Sequence, residues 1–209
     1  MVVLHYTAMV GAEAALERLC DAAAEVSAHY LICEQGRIWQ MVDEEMRAWH
    51  AGAGRWGDVS DVNSRSIGIE LANRGDHPFP EPQMAALEWL MAGIMERWRI
   101  PPERVIAHSD MAPGRKHDPG RRFDWRRLAR AGLSVWPEAG TPGDFWQDAA
   151  RFGYPVGDAE PEKTLQSFRL RFRPWAEGPL SETDRAAMAD LAARYPVAPA
   201  HRAPSRTLT

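Results

Sequence analysis

The sequence predicts a mixed α/β domain, with a central, mostly mixed β-sheet flanked by helices, followed by a small all-α module of three helices. Short runs rich in β-branched residues, typical of strands, alternate with helical patterns in the first two thirds of the chain. These strand-like runs are 2–7, 27–33, 37–42, 66–71 and 105–107. After Trp136 only helical patterns follow, so the sheet must be built from the part before it.

The elements of the first part can be justified in order. Residues 11–25 place apolar side chains on one helical face. The turn at 34–36 ends in glycine and indicates a hairpin between the second and third strands. We interpret 49–52 as a short edge segment. The segment 80–99 has the clearest helical spacing, and two prolines directly after it end the helix.

A linker in the second part of the chain separates two predicted units. Residues 123–131 predict a short helix capped by Asp124. A Pro/Gly-rich linker then precedes three helical patterns, which are 144–152, 162–172 and 181–195. We therefore expect a first domain over 1–136, a helical module over 144–195 and a disordered tail over 196–209.

Composition excludes several classes of protein. The chain has 209 residues and a net charge of −4, which argues against a nucleic-acid partner. No apolar run reaches the ~18 residues that a transmembrane helix needs. Met1 leads directly into the first strand without a visible signal peptide, so we expect a cytoplasmic protein, or one of the cell envelope if a leader precedes this sequence. Cys20 and Cys33 lie in apolar patterns and predict reduced core thiols.

Three side chains at strand ends and in one loop have metal-binding chemistry. His5 lies in the first strand, and the strand at 105–107 delivers His108 at its end. A Pro/Gly-rich loop then leads to Asp118. Two imidazoles and one carboxylate suit Zn²⁺ with a fourth position open to water, which is the arrangement of catalytic rather than structural zinc sites.

Other histidines compete for this role. His50 is the best alternative because it heads a Gly-rich loop. His117 is adjacent to Asp118 but would face the opposite side of an extended segment. The remaining candidates are a strand residue, a residue of a polar turn and a residue of the tail, namely His29, His77 and His201. Because no compact His-x-x-x-His motif is present, the residues alone leave the ligand set open.

Two further residues have potential catalytic roles. Glu70 interrupts an apolar strand, so it either points into a site, where it could accept a proton from water, or pairs with a cation. Lys116 is one of only two lysines, with Lys163, in a chain that otherwise uses arginine. It lies two residues before Asp118, where its ammonium could stabilise a developing oxyanion, although a solvated loop lysine is the simpler alternative.

Five motifs follow one another through the first domain. They are Leu4-His5-Tyr6-Thr7-Ala8, the run 27–32, Trp49-His50-Ala51-Gly52, Asn63 with 66–70, and His108-Ser109-Asp110 with 113–120. Together they resemble the zinc-dependent N-acetylmuramoyl-L-alanine amidases, the type 2 amidase group related to peptidoglycan recognition proteins. The resemblance extends from about Val2 to Trp136.

The resemblance implies a role for each matching residue. It identifies His5, His108 and Asp118 as the ligands of one zinc ion per chain. It identifies Glu70 as the catalytic glutamate and Lys116 as the oxyanion-stabilising lysine. It also implies a set of residues that contact substrate, which we expect to be Tyr30, His50, Asn63 and Arg115.

The implied reaction is hydrolysis of the amide between N-acetylmuramic acid, or its 1,6-anhydro form, and L-alanine of the stem peptide, in cell-wall turnover or recycling. The implied partners are peptidoglycan fragments or the wall itself. Residues 144–195 resemble a helical peptidoglycan-binding module. The alternatives are a recognition module that binds peptidoglycan without cutting it and a metal-dependent amidase or peptidase acting on other peptides.

Overall fold

The computed structural model describes residues 1–197, which form five strands and seven α-helices. The strands are β1 (Val2–Tyr6), β2 (Tyr30–Ile32), β3 (Ile38–Gln40), β4 (Ile67–Leu71) and β5 (Val105–Ala107). The helices are α1 (Ala12–Cys20), α2 (Glu81–Trp98), α3 (His108–Met111), α4 (Trp125–Arg130), α5 (Phe145–Phe152), α6 (Pro161–Phe172) and α7 (Glu182–Arg194).

The five strands form one sheet in the order β3-β2-β4-β1-β5. The pairs β2–β4, β4–β1 and β1–β5 are parallel, and only the hairpin pair β2–β3 is antiparallel. The predicted mixed sheet is therefore confirmed. The parallel strands end at the same edge, which is where open α/β sheets bind their ligands.

One face of the sheet is covered by α2 and α4. Alternate residues of β1, β4 and β5 point to this side and pack with Met84, Leu87, Met91 and Ile94 of α2 in one buried cluster. The helical spacing predicted for 80–99 is therefore confirmed. Trp98, the last residue of α2, lies outside this cluster: it is 44% exposed, and its indole N–H donates to Glu44.

The opposite face of the sheet is covered by α1 near β2 and by the C-terminal helices near β1 and β5. Near β2, Leu31 packs with Ala12 and Ala15 of α1. Near β1 and β5, Val3 and Ile106 share a buried cluster with aromatic residues of α5 and α6. The three C-terminal helices form where the sequence predicts them, and they pack against the sheet through this shared cluster. The division into a domain over 1–136 and a module over 144–195 stays a prediction.

Some local predictions are wrong. Helix α1 ends at Cys20 because the Asp21 carboxylate accepts a hydrogen bond from the Ala23 amide and starts a short 3₁₀ turn. Cys20 is consequently exposed, whereas Cys33 is buried as predicted, and both thiols are free. The segment 49–52 forms no strand. The short helix α3 lies where the sequence predicts an irregular loop.

The chain end is described only up to Val197, whose amide donates to the Arg151 carbonyl at 2.9 Å. Of the predicted tail over 196–209, residues 198–209 lie outside the described part, as does the candidate ligand His201. None of the helices within residues 1–197 has the length and apolar character needed to cross a membrane.

Candidate metal centre

The register of the sheet places three of the predicted site residues together. In the β1–β4 pair, His5 lies opposite Glu70, so both side chains point to the same face. Strand β5 pairs with β1 as far as Ala107, which lies opposite Leu4. The next residue, His108, therefore begins α3 beside His5.

Asp118 reaches the same place through the loop after α3. The Ser109 amide donates to the Asp118 carbonyl at 3.1 Å and ties this loop to α3. The segment before Asp118 is turned rather than extended, since the Lys116 amide donates to the Ala112 carbonyl at 3.1 Å. Lys116 and His117 consequently both line the cleft that contains Asp118, and the expectation that His117 faces away is wrong.

His5, His108 and Asp118 form a compact, buried triangle. The His5 Nδ1 lies 2.9 Å from the His108 Nδ1 and 2.9 Å from the Asp118 Oδ2, and the third side, from His108 Nδ1 to Asp118 Oδ2, measures 3.0 Å. Ligand atoms bound at ~2.0–2.1 Å to one tetrahedral ion lie roughly 3.3 Å apart, so the triangle needs only a slight expansion to hold zinc.

The tautomer of His108 is fixed from outside the triangle. Its Nε2 lies 2.8 Å from the Ala51 carbonyl oxygen. Because a carbonyl oxygen only accepts, Nε2 must carry the hydrogen and donate. The Nδ1 of the neutral ring then keeps its lone pair, which points into the triangle.

A longer chain of hydrogen bonds fixes the tautomer of His5. The Ser66 hydroxyl donates to the Val62 carbonyl at 2.5 Å, so its oxygen is left to accept from the His50 Nε2 at 3.3 Å. The His50 Nδ1 is then an acceptor, and the His5 Nε2, 3.0 Å away, donates to it. His5 Nδ1 therefore also presents a lone pair to the triangle.

These tautomers make the triangle a site for a cation. Two imidazole lone pairs and a carboxylate oxygen face one another within 3.0 Å. Three acceptors at this distance repel one another unless a positive charge lies among them. Neutral imidazole nitrogen and carboxylate oxygen are also the ligand types that zinc prefers, so the residues fit this metal.

The charge states of the ligands agree with metal binding. Burial, together with the neighbouring His108, lowers the pKa of His5 to about 4, so His5 is neutral near pH 7. Burial by itself would raise the pKa of Asp118. The adjacent His108 and His5 outweigh this effect and hold the pKa of Asp118 below its usual range, so the carboxyl is ionised.

Glu70 borders the triangle without a partner. Its Oε2 is buried and forms no hydrogen bond within residues 1–197, and no arginine of that range pairs with it. Burial, together with the nearby Asp118 charge, raises the pKa of Glu70 to about 8. Of the two sequence-based alternatives for Glu70, the structure supports the one in which it points into a site.

The metal ligands, Glu70 and Lys116 line one cleft with a volume of about 410 Å³. His50 also lines this cleft, and its position behind His5 makes it a partner of that ligand rather than a rival ligand. Arg115 lies at the edge of the cleft and donates to the carbonyls of Ala51, at 2.8 Å, and Ala53.

Asn63 supports the centre from behind. Its Oδ1 accepts from the amides of His50 at 3.1 Å and Ala51 at 2.8 Å. It thus holds the segment whose side chain contacts His5 and whose carbonyl contacts His108. Asn63 is not among the residues that line the cleft, so this role replaces the expected contact with substrate.

Tyr30 lies outside the cleft. It pairs with Ile69 rather than Glu70, so its ring lies on the opposite face of the sheet in the α2 cluster. Its hydroxyl donates to Glu44 at 2.7 Å. The expectation that Tyr30 contacts substrate is therefore wrong. The register of β2, which decides the face of the sheet on which Tyr30 lies, could not be predicted from the sequence.

Sequence reasoning missed an apolar rim on the cleft. Trp49 and Val26 line it and are 54% and 40% exposed, and Met9 and Leu19 extend the same lining. The signal was present in the motif around Trp49, since an exposed tryptophan beside polar ligand residues is typical of a binding surface.

The other two histidines of residues 1–197 lie outside the cleft. His29 is buried, accepts a hydrogen bond from the Gly68 amide at 2.9 Å and contacts the Met46 carbonyl, as expected for a core residue. His77 bonds to Asp76 in a surface turn.

Comparison with known proteins agrees with this geometry. The family model described as N-acetylmuramoyl-L-alanine amidase matches residues 1–121. N-acetylmuramoyl-L-alanine amidase AmiD of Escherichia coli is 37% identical, over 83% of this chain and 75% of AmiD. The 1,6-anhydro-N-acetylmuramyl-L-alanine amidase AmpD of Haemophilus influenzae is 43% identical over 49% of this chain and 56% of AmpD.

Two solved structures resemble the whole fold. Escherichia coli AmiD in complex with its substrate anhydro-N-acetylmuramic acid-L-Ala-D-γ-Glu-L-Lys superposes with a TM-score of 0.85, covering 93% of this chain and 89% of AmiD at 35% identity. Pseudomonas aeruginosa AmpDh3 in complex with anhydromuramic pentapeptide gives a TM-score of 0.85, covering 94% and 92% of the two chains at 31% identity.

Proposed function

Because this chain belongs to the N-acetylmuramoyl-L-alanine amidase family, we propose that it is a zinc hydrolase of muropeptides. The bond it cleaves joins the lactyl group of N-acetylmuramic acid, or of its 1,6-anhydro form, to L-alanine of the stem peptide. The substrates bound by AmiD and AmpDh3 support the anhydro form as the first to test.

The observation that carries this proposal is the triangle of three acceptors. His5, His108 and Asp118 present lone pairs to one point, and a cation is what makes that arrangement stable. We assign one zinc ion per chain to these three ligands. When bound there, zinc supplies Lewis acidity that polarises a carbonyl and makes water acidic near neutral pH.

The remaining chemistry belongs to the residues of the chain. Glu70 would accept a proton from the attacking water, since its buried Oε2 has no partner among residues 1–197 and a cation bound beside it would favour its ionised form. The same carboxyl then donates that proton to the leaving amine of L-alanine. The Lys116 ammonium, on the wall of the same cleft, stabilises the negative charge that develops on the amide oxygen.

The cleft has two kinds of lining that match a muropeptide. The exposed Trp49 and Val26 provide an apolar surface for the sugar ring. Arg18 and Arg115 line the same cleft and provide positive charge for the stem-peptide carboxylates. If the proposed function is right, these four side chains contact the substrate.

Product analysis on a defined substrate tests the function. We expect anhydro-N-acetylmuramyl-tripeptide to yield free anhydro-N-acetylmuramic acid and a tripeptide with L-alanine at its amino end. A matched peptide that lacks the sugar should stay intact. Binding without any cleavage would support the recognition module, and equal cleavage of the sugar-free peptide would support a general peptidase, so either result contradicts the proposal.

Lys116 offers a separate prediction. We expect Lys116→Ala to lower turnover by about 10²–10³-fold with zinc content and fold unchanged, which is the effect of removing one oxyanion donor. Lys116→Arg should restore little activity, because a planar guanidinium directs its donors differently from a compact ammonium.

The measurement is the initial rate of stem-peptide release at saturating zinc. Lys163→Ala is the matched control, since Lys163 is the only other lysine of the chain and does not line the cleft. Turnover near the wild-type value in Lys116→Ala would remove Lys116 from the mechanism.

A further inference from the structure

The turn that carries His108 is held by a buried acid. Asp110, fully buried in α3, accepts the Ala107 amide at 2.9 Å with its Oδ2. This bond closes the first turn of α3 around His108. Asp110 is thus directly connected to the backbone that positions a metal ligand.

Asp110 receives its other hydrogen bonds from the C-terminal helices. Arg171 of α6 donates through Nη1 to Asp110 Oδ2 at 2.6 Å. The Tyr154 hydroxyl, just after α5, donates to Asp110 Oδ1 at 2.6 Å. Arg171 and Tyr154 are both fully buried, so no solvent competes for these bonds.

Arg171 also binds the strand that leads into α3. Its Nη2 donates to the Val105 carbonyl of β5 at 2.9 Å and to the Ser134 hydroxyl at 3.2 Å. Its guanidinium lies 4.4 Å from the ring centroid of Trp125, which fixes its plane. One side chain of α6 therefore contacts both the strand before His108 and the acid after it.

We propose that the C-terminal helices are a structural part of the metal centre, in which Arg171 and Tyr154 act as positioning residues for the metal ligand His108. The inference rests on the proposed zinc site and goes beyond it by assigning a metal-binding role to the segment 144–195. This role is separate from the peptidoglycan binding that the resemblance of 144–195 implies.

The physical basis is the cost of leaving Asp110 without partners. A buried carboxylate that loses a charged partner must find solvent or a new donor, and here the accessible change is movement of the α3 turn. Movement of His108 relative to His5 and Asp118 weakens metal binding, and loss of such supporting contacts costs about 10–100-fold in metal affinity.

The same helix provides a matched control. Arg169 also lies in α6, is buried, and donates to the buried Asp184 at 2.6 Å and to the carbonyls of Gly178 and Pro179. All these partners lie within 178–184, and among residues 1–197 none of them is hydrogen-bonded to α3. Arg169→Met therefore removes a buried arginine–aspartate pair without touching the turn that carries His108.

The test compares zinc dissociation constants, measured by chelator competition on the full chain at a temperature where each variant is folded. We expect Arg171→Met to bind zinc about 10–100-fold more weakly than the wild type. Arg169→Met should bind zinc within about twofold of the wild type, whatever its change in melting temperature.

Tyr154→Phe keeps the test open if Arg171→Met fails to fold. It removes one hydrogen bond to Asp110 with little change in volume, and we expect a several-fold loss of zinc affinity. The inference would be overturned if Arg171→Met and Tyr154→Phe, where folded, bind zinc with wild-type affinity. It would also be overturned if Arg169→Met loses as much zinc affinity as they do. Absence of zinc binding by the wild type would instead overturn the proposed function, and the inference with it.

Discussion

Glu70→Gln is expected to lower turnover by about 10²–10⁴-fold while the protein still binds one zinc ion per chain. Glutamine keeps the size and the hydrogen-bonding reach of the side chain but cannot accept a proton, and general base catalysis typically contributes a factor of this size. Glu70 is suited to the role because its Oε2 is buried beside the ligands and has no partner within the described chain.

The effect separates a catalytic role from a structural one. Burial raises the pKa of Glu70 because it disfavours the charged carboxylate, and glutamine is always neutral, so Glu70→Gln should not lower the melting temperature. Rates and zinc content are measured on the same preparation. A melting temperature well below the wild-type value, with full activity in the folded fraction, would contradict the base role.

Glu44→Gln is the matched control for this measurement. Glu44 is also in a polar network, since Tyr30, Arg97 and Trp98 all donate to it, and these donors hold the pKa of Glu44 at about 2 against the effect of burial. It does not line the cleft. We therefore expect Glu44→Gln to lower stability and leave turnover of the folded protein unchanged.

His108→Ala is expected to remove zinc and all zinc-dependent activity. His108 supplies one of only three protein ligands in the proposed site, and the alanine cannot replace its Nδ1. Two ligands hold zinc far less tightly than three, so the metal should be lost on dialysis against a weak chelator. The measurement is zinc per chain by elemental analysis after dialysis.

His117→Ala is the control for the ligand assignment. His117 lies next to Asp118 and at the edge of the cleft, so it is the histidine most easily mistaken for a ligand. We expect the His117→Ala protein to retain its zinc. Zinc content equal to the wild type in His108→Ala would show that the ligand set is wrongly assigned.

The sequence predicted those features that depend on local pattern. β1, β4, β5 and α2 follow from short β-branched runs and a regular apolar spacing, and each forms within two residues of its expected bounds. His5, His108 and Asp118 were identified by chemistry and motif, and the structure brings them within 3.0 Å of one another. These residues could be identified from the sequence because histidine and carboxylate side chains at strand ends and in a tight loop are typical zinc ligands.

The features that the sequence could not predict depend on which elements pack together. Tyr30 lies on the face of the sheet opposite the cleft. Strand register, which local sequence pattern does not show, decides this. The order of hydrogen bonds from Ser66 through His50 to His5 joins three separate loops and strands. The pair Arg171–Asp110 joins residues 61 positions apart. From sequence alone, an arginine on a short helix is expected to be solvent-exposed, so its burial could not be predicted.

Metal-free protein gives the most direct test of the central claim, that zinc at His5, His108 and Asp118 drives cleavage of the muramyl–alanine amide. Zinc is added back in steps, and the initial rate of stem-peptide release from anhydro-N-acetylmuramyl-tripeptide is measured at each step. We predict that activity is absent without metal and rises linearly to a plateau at one zinc per chain. Undiminished release by the metal-free protein would contradict the account.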